Sequence, residues 1–266
     1  MNHLFRELAP ITSPTWQMLD DEARTRLLPA LNGRRLVDFA GPNGWEYSAT
    51  SLGRTGDVID APAAGVTARS RIVLPLAEVR VEFTLARSEL EAADRGAIDV
   101  DLSAFDRAAF DMASTENSAI FAGWAAAGFT GIVPASPLPP VRLDENPSDL
   151  SRAVAAGVAQ LKRSGVDGPY GLALDTDSWI ELEGGSDVGG APLARHVERI
   201  LGGPALWVPG VAGPVVVSLR GGDFVFESGQ DIALGYASHT GSTVTLYLEQ
   251  SFSFRVATPE AAVAIA

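Results

Sequence analysis

The sequence predicts a mixed α+β protein, on three observations. Apolar residues recur at helical spacing in segments set between prolines and glycines, and the last part of the chain turns to period-two alternation. Between two extended runs lies a turn-rich stretch with too few bulky apolar residues to hold a core. With 266 residues, 46% of them hydrophobic, the chain can bury one large core or two modest ones.

The first helix is expected from Ser13, as N-cap ahead of Pro14, with Trp16, Leu19, Ala23 and Leu27 on one face. Pro29 and Asn32-Gly33 close it. Trp45 to Leu52 and Ala68 to Leu76 read as extended runs, with turns through Gly53-Arg54-Thr55-Gly56-Asp57 and Ala61 to Gly65 between them. Such a pair forms a long hairpin arm, which is marginal alone in water and needs a neighbour. The longest helix is expected from Ser103, with Phe105, Ala109, Met112, Ala113, Ile120 and Trp124 in period up to Gly128. The prolines from Pro134 to Pro140 break the chain, and a boundary between two bodies falls there.

A second α/β unit follows: a helix from Ser148 to Ser164, a strand at Tyr170 to Leu174, a helix around Trp179, a glycine-rich loop from Gly184, and a helix through Val197. Strands at Leu206 to Val208 and Val215 to Leu219 complete it. Alternation from Val244 to Val256 gives a long final strand, and the chain order returns this last segment to the first body.

The chemistry legible in the residues is sparse. There are no cysteines, so disulfides and thiolate chemistry are excluded, and the composition fits a reducing cytoplasm. His3, His196 and His239 lie far apart without metal-ligand spacing, and no phosphate loop, dinucleotide fingerprint or nucleophile elbow is present. These absences predict no catalytic site and no metal. A formal charge of −13 opposes nucleic-acid binding, and the short basic groups Arg34-Arg35 and Arg69-Ser70-Arg71 suit ion pairs or subunit contacts. No run nears the about 20 apolar residues that span a membrane. Met1 to Arg6 has no apolar run behind a basic start, which predicts no signal peptide.

The opening Leu4-Phe5-Arg6-Glu7-Leu8-Ala9-Pro10, Gly33-Arg34-Arg35-Leu36-Val37-Asp38 and Phe83-Thr84-Leu85 carry a family likeness. So do Gly165-Val166-Asp167-Gly168-Pro169-Tyr170, Arg220-Gly221-Gly222-Asp223-Phe224 and Gly235-Tyr236, in that order along nearly the whole chain. In these motifs the sequence resembles the encapsulins, shell proteins that share the Hong Kong 97 phage-like major capsid fold. The resemblance implies a peripheral domain from 1–44, 77–136 and 224–266, an extended hairpin loop at 45–76 and an axial domain at 137–223. It implies self-assembly into an icosahedral shell, most simply of sixty subunits, that encloses cargo enzymes such as dye-decolourising peroxidases or ferritin-like proteins. A phage or prophage major capsid protein is the alternative; an enzyme or a secreted antibacterial protein is disfavoured by the missing catalytic set and signal sequence.

The same resemblance places a cargo-peptide groove at Leu31, Arg34, Asp38 and Phe39. The plainer reading of Arg34 and Asp38 is that they tie the helix end to the sheet. It also places a pore loop at Ser186, Asp187, Val188, Gly189, Gly190 and Ala191, with Asp187 as a rim charge. Where relatives often carry an aromatic residue before the proline, this chain has Gly190-Ala191-Pro192. Ser88 stands where some relatives use a tryptophan to hold flavin, so no flavin is expected.

Overall fold

The computed structural model describes residues 3–143, 149–186, 190 and 192–266. In chain order, helix α1 (Ser13–Leu27) leads to a short strand β1 (Asp38–Ala40), the arm strands β2 (Ala49–Ile59) and β3 (Ala68–Pro75), and β4 (Ala77–Ala86). Helix α2 (Arg87–Asp94), the long α3 (Ser103–Phe121), strands β5 (Gly123–Trp124) and β6 (Phe129–Thr130), and the single turn α4 (Ile132–Ala135) follow. Next come α5 (Asp149–Arg163), β7 (Tyr170–Leu174), α6 (Thr176–Gly184), α7 (Leu193–Leu201), β8 (Ala205–Trp207) and β9 (Val215–Ser218). Strands β10 (Phe224–Ser228), β11 (Ala233–His239), β12 (Thr243–Val256) and β13 (Ala262–Ala264) end the chain.

Strand β12 organises the larger sheet. Its N-terminal part pairs with β11 and its C-terminal part with β10, while β4 runs antiparallel along its other edge from Thr243↔Ala86 to Phe252↔Ala77. Period-two alternation puts Leu246, Leu248, Gln250, Phe252 and Phe254 on one face. That face meets α3, where Gln250 Nε2 lies 3.4 Å from Met112 Sδ. The opposite face carries Tyr247, Glu249, Ser251 and Ser253 and is buried as well. The N-terminal segment and the foot of the arm cover it: Tyr247 donates to the His3 carbonyl, and Thr50 and Ser253 share a hydroxyl contact of 2.6 Å.

The smaller sheet has the order β13-β9-β7-β8. All five residues of β7 are buried, as expected for a strand covered on both faces. Helix α5 lays Leu150, Val154, Val158 and Leu161 into this core, and α7 adds Leu193, Val197 and Leu201.

Four expectations are corrected. Thr12, not Ser13, caps α1, its hydroxyl facing the Thr15 amide at 3.4 Å. The long helix stops at Phe121, because Gly123 takes φ +85 and opens a turn in which Trp124 packs edge-on to Phe129. The stretch from Gly53 to Asp57 is strand, not turn; its glycines absorb two register shifts against β3, at Ser51/Arg54 and Thr55/Val58. The chain does return to the first body, since β1 pairs in parallel with β10, but its last strand β13 crosses back to pair with β9 in the smaller sheet. No helix among the described residues is long and apolar enough to cross a membrane.

Candidate functional site

The turn after α1 carries the predicted groove residues. Asn117 of α3 fixes that turn: its amide group donates to the carbonyls of Ala30 and Pro209, and its oxygen accepts from the Gly33 amide at 3.0 Å. Arg34 then points inward. Its guanidinium holds both oxygens of Glu116, a residue of α3 with 0% exposure, and bonds Asp231 at 2.9 Å. Burial disfavours the charged guanidinium, but the bonds and charge of Glu116 and Asp231 outweigh it and hold Arg34 above the ordinary arginine value. Burial likewise lifts the Glu116 carboxyl above the usual carboxylate range, with the bonds and charge of Arg34 opposing that rise. A bidentate pair of this kind fixes geometry more than it adds net stability.

Arg34 also lies over two rings, 5.0 Å from the centroid of Phe39 and 5.5 Å from that of Phe226. Phe39 is the outer end of an aromatic series that runs inward. Phe39 to Phe226 is 5.6 Å, Phe226 to Phe252 is 4.8 Å and Phe252 to Phe129 is 5.7 Å between centroids. At 37% exposure Phe39 is the one of the four predicted residues that offers an apolar surface to solvent. Leu31, at 7%, is part of the core.

Asp38 neighbours Phe39 on β1 and therefore points to the other side of the sheet. Its carboxylate accepts from the Gly222 amide at 2.6 Å, tying β1 to the turn before β10. Asp38 helps line a cavity of about 150 Å³ with Leu36, Ser218, Gly221, Asp223 and Phe224. That is room for a few water molecules, below the about 300 Å³ at which ligand sites begin. The structure thus brings Arg34 and Phe39 together and turns Asp38 away. Arg34 ties the turn after α1 to α3 and to Asp231, and Asp38 ties β1 to the turn before β10. Glu116 and Asp231 escaped the sequence reading. Glu116 had a signal: it falls four residues after Met112 and four before Ile120, on the apolar face of α3.

Of the pore-loop residues, Asp187, Val188, Gly189 and Ala191 lie outside the described residues. Ser186 forms an antiparallel bridge to Pro192, and the Leu193 amide donates to Gly185 at 3.1 Å, so the loop is closed at its base. Gly190 takes φ +79, a conformation that favours glycine. Ser88 is exposed in the first turn of α2. Among the described residues no three His, Asp or Glu side chains converge as a metal site.

A long helix packed on a sheet, a second α/β unit and a long two-stranded hairpin are the parts of a capsid-type fold. The fold matches the crystal structure of a virus-like particle from Pyrococcus furiosus with a TM-score of 0.62 at 15% identity, over 92% of this chain and 98% of that one. A chain of Gordonia phage Cozz gives 0.56 at 14% identity, over 89% and 87%. Identities this low show the Hong Kong 97-like fold alone. The sequence is more specific. Residues 1–253 match the family described as encapsulating protein for peroxidase. The chain is 44% identical to the type 1 encapsulin shell protein of Rhodospirillum rubrum, over 99% of this chain and 96% of that one. It is 39% identical to that of Mycobacterium tuberculosis, over 100% and 99%. This chain belongs to the encapsulin shell-protein family, whose members are structural and not enzymatic.

Proposed function

We propose that this chain assembles with copies of itself, most simply sixty, into a closed icosahedral compartment in the cytoplasm that encloses a cargo enzyme. The observation that carries this reading is the arm. Strands β2 and β3 pair with each other, and Val58, Ile59, Ile72 and Val73 along them, with Val66 in the connection, are exposed in the single subunit. A two-stranded ribbon with that much apolar surface is stable only against a partner. A second copy supplies one at every position of a closed shell and leaves no open interface. The family description names peroxidase as what its members encapsulate, and a peroxidase is accordingly the first cargo to test.

Cargo recruitment by a C-terminal targeting peptide would use the surface around β1. Phe39 provides the apolar anchor, Asp231 and Arg34 provide charge beside it, Asp38 pins the strand from behind, and Leu31 supplies the floor. An apolar contact with charged bonds that fix register is a usual mode of peptide capture. Small substrates would enter through the loop that Ser186 and Pro192 close, with Asp187 setting its charge.

Size-exclusion chromatography followed by negative-stain electron microscopy tests assembly. Uniform hollow particles far larger than a 27.9 kDa chain are the expected result. A monomer or small oligomer across salt and pH conditions would overturn it.

A further inference from the structure

His3 and Glu249 meet on the polar face of β12 with complementary unused groups. His3 Nε2 and Glu249 Oε1 are 3.8 Å apart, and both are buried atoms without a hydrogen-bond partner among the described residues. The other oxygen of Glu249 is taken twice by Arg80 of β4. The face of the His3 ring stacks on Trp45 at 3.9 Å between centroids and 11° between planes. Gly235 of β11 makes room for this cluster, since a Cβ there would lie 2.2 Å from the Tyr247 ring.

A neutral imidazole can offer Glu249 at most one uncharged Nε2–H bond, and in its other tautomer a ring lone pair faces the carboxylate. In the imidazolium, Nε2 carries a proton toward Glu249 and the charged ring lies over the indole face, so both contacts become attractive. The ring itself meets Glu249 of β12 and Trp45 at the foot of the arm; the other titratable and charged groups on the elements packed there are Tyr247, which bonds the His3 carbonyl, Arg80, which bonds Glu249, Glu78, which acts on Tyr247, and Glu46, next to Trp45 in sequence and exposed. Arg80 opposes the imidazolium, but both its short bonds go to the oxygen that His3 does not face.

We propose that His3 is a proton-operated latch, which clamps the N-terminal segment and the foot of the arm onto the large sheet. His3 joins three elements: its carbonyl accepts from Tyr247, the next residue's carbonyl accepts from the Tyr236 amide at 2.9 Å, and its ring holds Trp45 just ahead of β2. The latched form carries a proton that the released form gives up, so acid closes it and rising pH loosens it. Because Trp45 precedes the arm, the same proton sets how firmly the arm is presented to a neighbouring subunit.

Two readouts on the full-length protein test the latch. An imidazolium stacked on indole quenches its emission and a neutral imidazole does not. Tryptophan fluorescence is therefore expected to rise with a single step between pH 5 and 8, absent in Trp45→Phe and in His3→Asn. Hydrogen exchange at Tyr236, corrected for intrinsic rate, is expected to lose about fivefold in protection over the same range, as for an ion pair at the upper end of partly exposed ones. His3→Asn, a mild change that leaves the Arg80–Glu249 pair in place, should abolish that loss. A fluorescence step and a protection change that persist in His3→Asn would overturn the proposal.

Discussion

Two antiparallel ladders in this molecule have nearly the same length and opposite fates. Strands β4 and β12 pair without interruption over ten residues of β4, and both faces of β12 are covered, one by α3 and the other by the N-terminal segment. Strands β2 and β3 pair from Ala49↔Pro75 to Ile59↔Ala68 with two breaks, and beyond the foot of the arm most of their side chains are exposed. Both ladders are backbone-paired, the arm's over fewer residues because of its two breaks. What differs is the apolar area removed from water, which supplies most of the favourable free energy of folding. One ladder is thus stable within the subunit, and the other is built to be completed from outside.

The sharpest break of that comparison is removal of the arm tip. Deleting Arg54 to Gly65 should abolish particles while the dissociated subunit keeps cooperative unfolding and its far-ultraviolet circular dichroism. Particles of normal size from the deletion would show that the arm is dispensable. Single truncations sharpen the contrast. Phe252→Ala, in the middle of the aromatic series, should destabilise the subunit by about 3–5 kcal/mol in denaturant titration. Val73→Ala on the arm should stay within about 0.5 kcal/mol in the same assay and should instead lower the yield of particles.

Arg34→Ala belongs with the large effects, because it leaves the Glu116 carboxylate buried and unpaired, a loss of about 3–5 kcal/mol. The double substitution Arg34→Met with Glu116→Leu should recover most of it, since a buried ion pair is often replaceable by apolar residues of similar volume. Denaturant midpoints of the three variants decide this. A reduced cargo load in an Arg34 variant therefore counts only if its fold survives. Asp38→Ala is the gentler probe: losing the acceptor for Gly222 should lower stability by about 1 kcal/mol. If Asp38 positions the cargo strand, co-purification of a peroxidase bearing a targeting peptide should fall in this variant.

The smallest expected effect is in acid. Hydroxyl bonds from Thr12 and Thr15 hold the exposed Asp94 carboxyl below its ordinary value. A carboxyl depressed in the fold adds stability above its unfolded value, and that stability is lost as pH falls through the folded one. Thr12→Val should lower the melting temperature at neutral pH, where the α1 cap and the bond to Asp94 are both lost, and should flatten the acid limb, because the bond's share of that loss vanishes once Asp94 is protonated.

The helical stripes of α1, α5 and α7, the buried strand β7 and the alternation of β12 were legible because each is a local period set by backbone geometry. The coreless arm was legible for the converse reason, that its residues offer too little to bury. Less was readable where the answer depends on distant partners. Strand β4 was not singled out as a strand, although Val79, Val81, Phe83 and Leu85 alternate with Glu78, Arg80 and Glu82 in a strand's period of two. In the fold that polar row pairs with the other polar row of β12, and Arg80 meets Glu249 across it. The groove residues show the same limit. Sequence placed Leu31, Arg34, Asp38 and Phe39 within nine positions of one another, and strand alternation then sent Asp38 and Phe39 to opposite faces.

The amino-acid sequence by itself determined the α+β class, the arm that needs a neighbour, the absence of thiol chemistry and the family. Composition and short-range periodicity carry the first three, and the resemblance of ordered motifs along the chain carries the fourth. Only the tertiary structure decided that Arg34 faces Glu116 and Asp231, that Phe39 heads a series of rings, and that His3 meets Glu249 from the far end of the chain. Those pairs are separated by tens to hundreds of residues, so no local pattern encodes them. They form when packing closes over β12 and leaves each buried polar group to find a partner or go without one.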